Sequence, residues 1–296
     1  MKPTKISYLI ALFNKSKYIE ECIRSIIEES EDDLIIEICV VDDGSSDGSL
    51  ELIKQKFSLK NISCYRFEKN QGKVAAYNKA FELATGDYIC LFGADDVVIK
   101  GRTKLLLAEC RRDERIIYGG LMMFGENIST SHEIYPPREP KYHQNILGNR
   151  FSGGCFMAPY EKISHIFPIP EKLKFEDWWI ANRALKNGWV KTISVPVTNY
   201  RIHESNDCGT ACVNLDSIRR DYYRHFDYLS MMSSDATDKI ERYYINRALL
   251  IRKITCGESV SVLNALSPPF NKSSFLLFLL CMLGPRFVYE KIIRFK

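Results

Sequence analysis

Three runs of almost unbroken apolar residues in the first hundred positions do most to restrict how this chain can fold. They are residues 6–12 (ISYLIAL), 35–41 (IIEICVV) and 88–92 (YICLF), with a weaker fourth strand at 62–67. A strand wetted on one face alternates apolar and polar residues, whereas a strand covered on both faces does not. Helical patterns fall between the runs. Tyr18, Ile19, Cys22, Ile23, Ile26 and Ile27 recur at helical spacing behind a Ser16 N-cap, a second helix starts near Ser49 with Asp47 as its cap, and a third covers residues 74–84. Strand and helix in alternation predict a parallel sheet with helices on both faces and right-handed crossovers. Ligands of such sheets gather beyond the carboxyl ends of the strands. Asp42 and Asp43 close the second run and Asp95 and Asp96 follow the last, so four carboxylates are expected on that one rim.

Beyond residue 100 the pattern loosens. Residues 101–215 read as short strands and loops around one strong helix at 177–187, and from Asp216 the chain reads as helical until Ser267, Pro268 and Pro269 break it. Residues 275–283 (FLLFLLCML) are apolar throughout but too few to cross a membrane, which takes about 20. The following residues, 284–296, set Arg286, Lys291, Arg294 and Lys296 against Glu290 and mix them with Phe287, Tyr289 and Phe295. That mixture suits an interfacial helix on anionic lipid, although a buried core helix is equally apolar.

Composition narrows the function classes. With 46% apolar and 26% charged residues the chain is globular, neither disordered nor fibrous. A net charge of +4 is too mild to argue for a nucleic-acid partner. No apolar run reaches spanning length, and no secretory apolar core precedes the first strand. The 10 cysteines are scattered without a CxxC pair, and Cys39 and Cys90 lie inside strand runs, so a cytosolic, reduced protein is expected.

The turn after the first run, Leu12-Phe13-Asn14-Lys15, lacks the glycine fingerprint of a dinucleotide site, and there is no P-loop. Carboxylates stand at the strand ends instead. Asp95 and Asp96 offer hard oxygen ligands suited to Mg2+ or Mn2+, with a diphosphate able to complete the shell. The same pair would also serve merely to end a strand and cap a helix. His203, Cys208 and Cys212 have a loose metal-like spacing but no fourth partner, so zinc is not expected.

Taken in order, ISYLIALFN (6–14), CVVDDGSSDGS (39–49), NQGKVAAYNKA (70–80) and TGDYICLFGADD (85–96), then Phe175-Glu176-Asp177 and Tyr200-Arg201-Ile202-His203, resemble the inverting family-2 glycosyltransferases. The resemblance covers roughly residues 4–206. It implies the GT-A fold, a Rossmann-like α/β domain whose mostly parallel central sheet is flanked by helices. Residues 1–100 are then the nucleotide-sugar-binding half, 101–215 the acceptor-binding half of the same domain, and 216–296 a helical extension.

The resemblance also implies roles. Asp42 matches the carboxylate that reads a base edge, a task for a group that only accepts. Ala11 matches the strand-end backbone beside the nucleoside, and Lys73 a basic position near the base and diphosphate. Asp95 matches the ligand of a diphosphate-bound Mn2+ or Mg2+. Gly93 stands where the family motif begins with Asp, and Asp96 is the candidate to supply that missing carboxylate. His203 matches a histidine that touches metal or diphosphate in some relatives. Asp177 matches the base that removes the acceptor's hydroxyl proton, although a carboxylate there would also complement a helix N-terminus. Gly153-Gly154-Cys155 resembles the small-residue loop beside the acceptor. Of Trp178 and Trp179, one is expected in the core and the other against a sugar face.

The expected function is metal-dependent, inverting transfer of a sugar from a nucleotide diphosphate sugar, of the UDP type, to a hydroxyl acceptor. The acceptor is expected to be a glycan or lipid-linked intermediate of surface polysaccharide synthesis, met at the cytoplasmic face of the cell membrane with the basic tail on the lipid. Two rivals stand beside it. One is a catalytically silent nucleotide-sugar-binding subunit, prompted by Gly93. The other is a sugar-nucleotide nucleotidyltransferase, which usually carries a glycine-rich phosphate loop after its first strand.

Overall fold

A computed structural model describes residues 3–31, 33–125, 132–203, 215–236 and 238–255. The chain divides into two compact units, Met1–Asn145 with Asn149–Ser205, and Ile146–Gly148 with Asn206–Lys296. Of residues 1–215, positions 146–148 and 206–215 fall in the second unit and the rest in the first.

The first unit opens with β1 (Thr4–Leu12), α1 (Ile19–Ile27), β2 (Leu34–Asp42), α2 (Ser49–Lys56), β3 (Ile62–Arg66), α3 (Lys73–Leu83) and β4 (Tyr88–Gly93). The four strands pair in parallel in the order β3-β2-β1-β4, with Ala11 level with Val41 on one side and Gly93 on the other. The unbroken apolar runs have the reason anticipated. Ile6, Tyr8, Ile10 and Leu12 of β1 pack in one cluster with Ile19, Cys22, Ile23 and Ile26 of α1, and Leu9, also fully buried, lies between them in the strand.

Then follow β5 (Val97–Val98), α4 (Arg102–Asp113), β6 (Ile116–Phe124), β7 (His132–Ile134), α5 (Tyr142–Leu147), a single 3-10 turn (Gly153–Cys155), β8 (Phe156–Pro159), α6 (Tyr160–Ile163), α7 (Glu176–Lys186) and β9 (Val190–Arg201). The sheet continues β4-β8-β6-β9-β5, with β7 beside β6. β8 is antiparallel to both neighbours and β9 is parallel to β6, so β1, β2, β3, β4, β6 and β9 all run one way.

A polar cluster locks the edge of the sheet opposite the carboxylate rim. Ser7, wholly buried, donates to Glu37 and accepts from the Gly86 N–H at 2.9 Å. Glu37 also takes the Thr85 N–H at 2.8 Å and the Lys5 ammonium at 2.6 Å. A Cβ on Gly86 would stand 2.6 Å from Ser7 Oγ, so only glycine lets the α3–β4 turn come this close to β1.

Helix starts differ in detail from the sequence reading. Asp47 does accept the Ser49 N–H at 3.0 Å, but Ser16 does not cap α1. Its own N–H is given to Asp47 at 2.8 Å, and α1 begins three residues later with no side-chain cap.

In the second unit, α8 (Leu215–Ser234) packs on α9 (Lys239–Thr255), and Asp238 caps α9 by accepting the Glu241 N–H at 2.7 Å. Tyr228, Leu229, Met232, Ile245 and Ala248 are buried. Cys208, Cys212, the apolar run 275–283 and the basic tail lie outside the described residues. Among the described residues no helix is long and apolar enough to cross a membrane.

Candidate active site

Parallel strands deliver their carboxyl ends to one rim, and the residues just beyond β1, β4 and β9 meet there. Asp95 is the centre. One carboxylate oxygen, Oδ2, takes Lys15 Nζ at 2.6 Å and His203 Nε2 at 2.8 Å. Lys15 comes from the turn after β1, and His203 from the segment leaving β9. Tyr18 stacks on the His203 ring at 4.9 Å and holds it in place. Burial opposes ionisation of Asp95, but the Lys15 ammonium and His203 outweigh it and hold the carboxyl below its usual range.

Asp96 is directed inward. It is 5% exposed and accepts the Arg201 N–H at 3.0 Å, while Arg201 Nε donates to the Asp95 carbonyl at 2.8 Å. Arg201 is itself held by Glu21 at 2.5 Å and lies over the Phe124 ring at 4.4 Å. Burial, and then the charge of Asp95, push the Asp96 carboxyl up to about 7. Gly93 explains its position. A Cβ at residue 93 would stand 2.6 Å from Asp96 Oδ2 and 3.2 Å from Asp95 Oδ1. The room that a side chain at the first motif position would need is therefore filled by the carboxylate of Asp96.

Asp177 enters from the N-terminus of α7, across the Gly153–Cys155 turn. A Cβ on Gly153 would lie 3.3 Å from Asp177 Cβ, and one on Gly154 would lie 3.6 Å from Asp96 Oδ2. Two successive glycines thus line the space between the two carboxylates. The turn is anchored from below, where buried Arg102 donates to Thr198 at 3.1 Å and Thr198 donates to the Gly154 carbonyl at 2.6 Å. Burial, and then adjacent Glu176, push the Asp177 carboxyl up to about 7. Lys73, at the start of α3, pairs with Glu176 at 2.9 Å. Burial disfavours the Lys73 ammonium, yet the charges of Glu176 and Asp177 more than offset this and its pKa is raised. The structure therefore brings Asp95, Asp96, His203, Asp177 and Lys73 into one linked arrangement.

Asp42 does end β2, but it is fully buried, with Oδ1 taking the Ser45 N–H at 2.9 Å and Oδ2 taking Arg66 Nε at 2.6 Å. It closes the loop after β2 and pairs there with Arg66 of β3. Asp43 likewise fixes a loop, accepting the N–H groups of Gln71 at 2.6 Å and Gly72 at 2.9 Å. Neither tryptophan offers a face to a sugar. Trp178 and Trp179 are 1% and 6% exposed, and Trp178 Nε1 donates to the Asn145 carbonyl at 2.7 Å. Ala11 lies as expected at the end of β1, partly exposed between Val41 and Gly93. Lys15, Arg102, Glu176 and Arg201 were not singled out for chemistry. Lys15 was the one with a visible signal, one of two lysines between β1 and α1.

A family model described as Glycosyl transferase family 2 matches residues 7–166, more than half of the chain. Among curated relatives, an uncharacterized glycosyltransferase (alr2836) of Nostoc is 27% identical over 69% of this chain and 66% of its own length. The chondroitin synthase of Escherichia coli is 36% identical over 36% of this chain and 16% of its own. Abequosyltransferase RfbV of Salmonella typhimurium is 35% identical over 34% and 31%. The matches thus span less than two thirds of each of these relatives. In three dimensions the chain resembles Staphylococcus aureus TarS (residues 1–349), with a TM-score of 0.60 at 19% identity over 94% of this chain and 79% of that one. A structure of the same TarS fragment with UDP-GlcNAc gives a TM-score of 0.60 at 18% identity, over 99% and 92%. At these identities the likeness bears on the fold, which is the GT-A fold expected from the sequence.

Proposed function

The chain belongs to glycosyl transferase family 2, and from that premise we propose that it moves a sugar from a nucleotide diphosphate sugar to an acceptor hydroxyl with inversion at the anomeric carbon. The observation that carries this reading is the placement of Asp177 across two glycines from the Asp95–Asp96 pair. A donor held at Asp95 by its diphosphate would present its anomeric carbon toward Asp177. The glycines leave room there for an acceptor. A UDP donor is favoured because TarS, of like fold, has been solved with UDP-GlcNAc and with UDP.

The chemistry divides among named residues. Asp177, ionised, takes the proton of the acceptor hydroxyl as that oxygen attacks. A carboxyl titrating near 7 is a stronger base than an exposed aspartate and is still half ionised at neutral pH. Lys73 holds positive charge beside Asp177 and limits how far its pKa rises. Ala11 leaves the end of β1 open for the nucleoside. The family's Mn2+ or Mg2+ fits the donor set. Asp95 offers a hard oxygen, His203 a nitrogen on the same point, and the Lys15 ammonium already marks that point as a cation position. Asp96 stands next to it as the second carboxylate. Among the described residues no three His, Cys, Asp or Glu side chains form a metal shell, so donor oxygens would complete it. When bound, such an ion supplies Lewis-acid relief of the charge on the departing diphosphate.

The acceptor reading is a glycan or lipid-linked intermediate of polysaccharide synthesis at the inner face of the cell membrane, with residues 284–296 on anionic lipid. Full-length protein should then sediment with anionic vesicles and be released as salt rises. Vesicle binding indifferent to salt would remove that part of the proposal. The catalytic reading is tested by following nucleoside diphosphate release from a panel of nucleotide sugars with Mn2+. Turnover of one donor is expected. Tight binding without turnover of any donor would instead mark a silent sugar-nucleotide-binding subunit.

A further inference from the structure

We propose that Lys15 is a latch on the cation site, holding Asp95 until the diphosphate of the donor draws its ammonium away, so that the divalent ion is taken up with the nucleotide rather than before it. This rests on the reading of Asp95 as a metal ligand. Lys15 Nζ lies 2.6 Å from Asp95 Oδ2, the oxygen that His203 Nε2 also meets, and 3.4 Å from that same ring nitrogen. Lys15 and Asp95 side chains are 18% and 16% exposed, so the pair is set well into the rim. An ion bound to Asp95 and His203 would take the position that the ammonium now holds. Two cations on one oxygen repel strongly in a partly buried site, so one must leave.

The surroundings let the lysine move without disturbing the fold. Its backbone is pinned, with its N–H on Ser49 Oγ at 2.9 Å and its carbonyl accepting the N–H groups of Tyr18 and Ile19, both at 2.9 Å. The ammonium rides on a flexible four-carbon stem. A diphosphate arriving beyond β1 and β4 offers it new anionic partners on the same rim. The rest of the site suits a weak resting affinity for the ion. Gly93 contributes no carboxylate, and Asp96 is turned toward the Arg201 N–H. Uptake of ion and nucleotide is then synergistic, and by linkage each favours the other to the same degree.

The test is Mn2+ binding to the full chain, read from the EPR signal of free ion, with and without saturating UDP. The parent should bind Mn2+ weakly alone and more tightly with UDP. Lys15→Met should bind Mn2+ without UDP at least about tenfold more tightly, the scale of one removed repulsive charge, and gain less from UDP. Lys15→Arg, which keeps the charge, should stay near the parent. If Lys15→Met does not fold, judged by its melting curve, Lys15→Gln carries the same expectation. An unchanged or weaker Mn2+ affinity in the neutral variant overturns the latch while leaving the metal reading in place. A parent that takes up no Mn2+ even with UDP overturns the metal reading, and the latch with it.

Discussion

Replacing Glu176 by glutamine isolates what sets the basicity of Asp177. Glu176 is 5% exposed, pairs through one oxygen with Lys73 at 2.9 Å, and has no hydrogen-bond partner on the other. Its charge is the second cause, after burial, of the rise of the Asp177 carboxyl to about 7. A like charge this near moves a carboxyl by about 1–3 units, and since burial remains and leads, the low end applies. The Lys73 ammonium, no longer neutralised, pushes in the same direction. Asp177 in Glu176→Gln should therefore titrate about one unit lower, a difference of about 1.4 kcal/mol between its two protonation states. The base acts only when ionised, so turnover is lost as pH falls through this pKa. The assay is the pH dependence of donor turnover from pH 5 to 9. The parent should show an acidic limb near 7, and the variant a limb about one unit lower with a somewhat reduced plateau, since a weaker base transfers the proton less readily. A limb that stays in place, or moves up, would refute the assignment of that titration to Asp177.

Other consequences are independent of that one. Gly93→Ala places a methyl 2.6 Å from Asp96 Oδ2, so donor affinity in the presence of Mn2+ should fall by about tenfold or more with little change in melting temperature. Calorimetric titration with UDP checks it, and unchanged affinity would mean that Asp96 has no part in the site. Glu37→Gln should cost about 1–3 kcal/mol at neutral pH, because it disrupts charge-assisted bonds with Lys5, Ser7 and Thr85. Those bonds outweigh burial and hold the Glu37 carboxyl below its usual value, so its contribution is present above about pH 4.3 and lost as pH falls toward the folded-state value. Melting temperatures from pH 7 to 3 should converge for parent and variant at the acid end, and a constant gap would contradict this.

Much of the first half was legible because local pattern and tertiary outcome agree there. The runs at 6–12, 35–41 and 88–92 became β1, β2 and β4 within a residue or two, since double-sided burial leaves a composition signature that needs no knowledge of partners. Asp95 was reachable from its strand-end position, whereas Asp177 was singled out only through the resemblance. The antiparallel insertion of β8 between β4 and β6 was not reachable, because a four-residue strand has too little pattern to declare its neighbours. Arg201 and Arg102 act through contacts with Asp95 and Thr198 that are distant in sequence, and nothing local marks either cation for such a partner. The Asx turn of Asp42 with Ser45 is local and readable in the motif, whereas its ion pair with Arg66 of β3 is not.

The central claim, that Asp177 is the base for a donor held at Asp95, is tested most directly by Asp177→Asn. Its nucleotide-sugar affinity and its turnover of the same donor should be measured on one preparation. The account predicts affinity within a few-fold of the parent and turnover lower by about 10²-fold or more, the usual scale for a removed general base. Equal losses of binding and turnover would show that Asp177 serves the architecture of the α7 N-terminus, and would contradict the account.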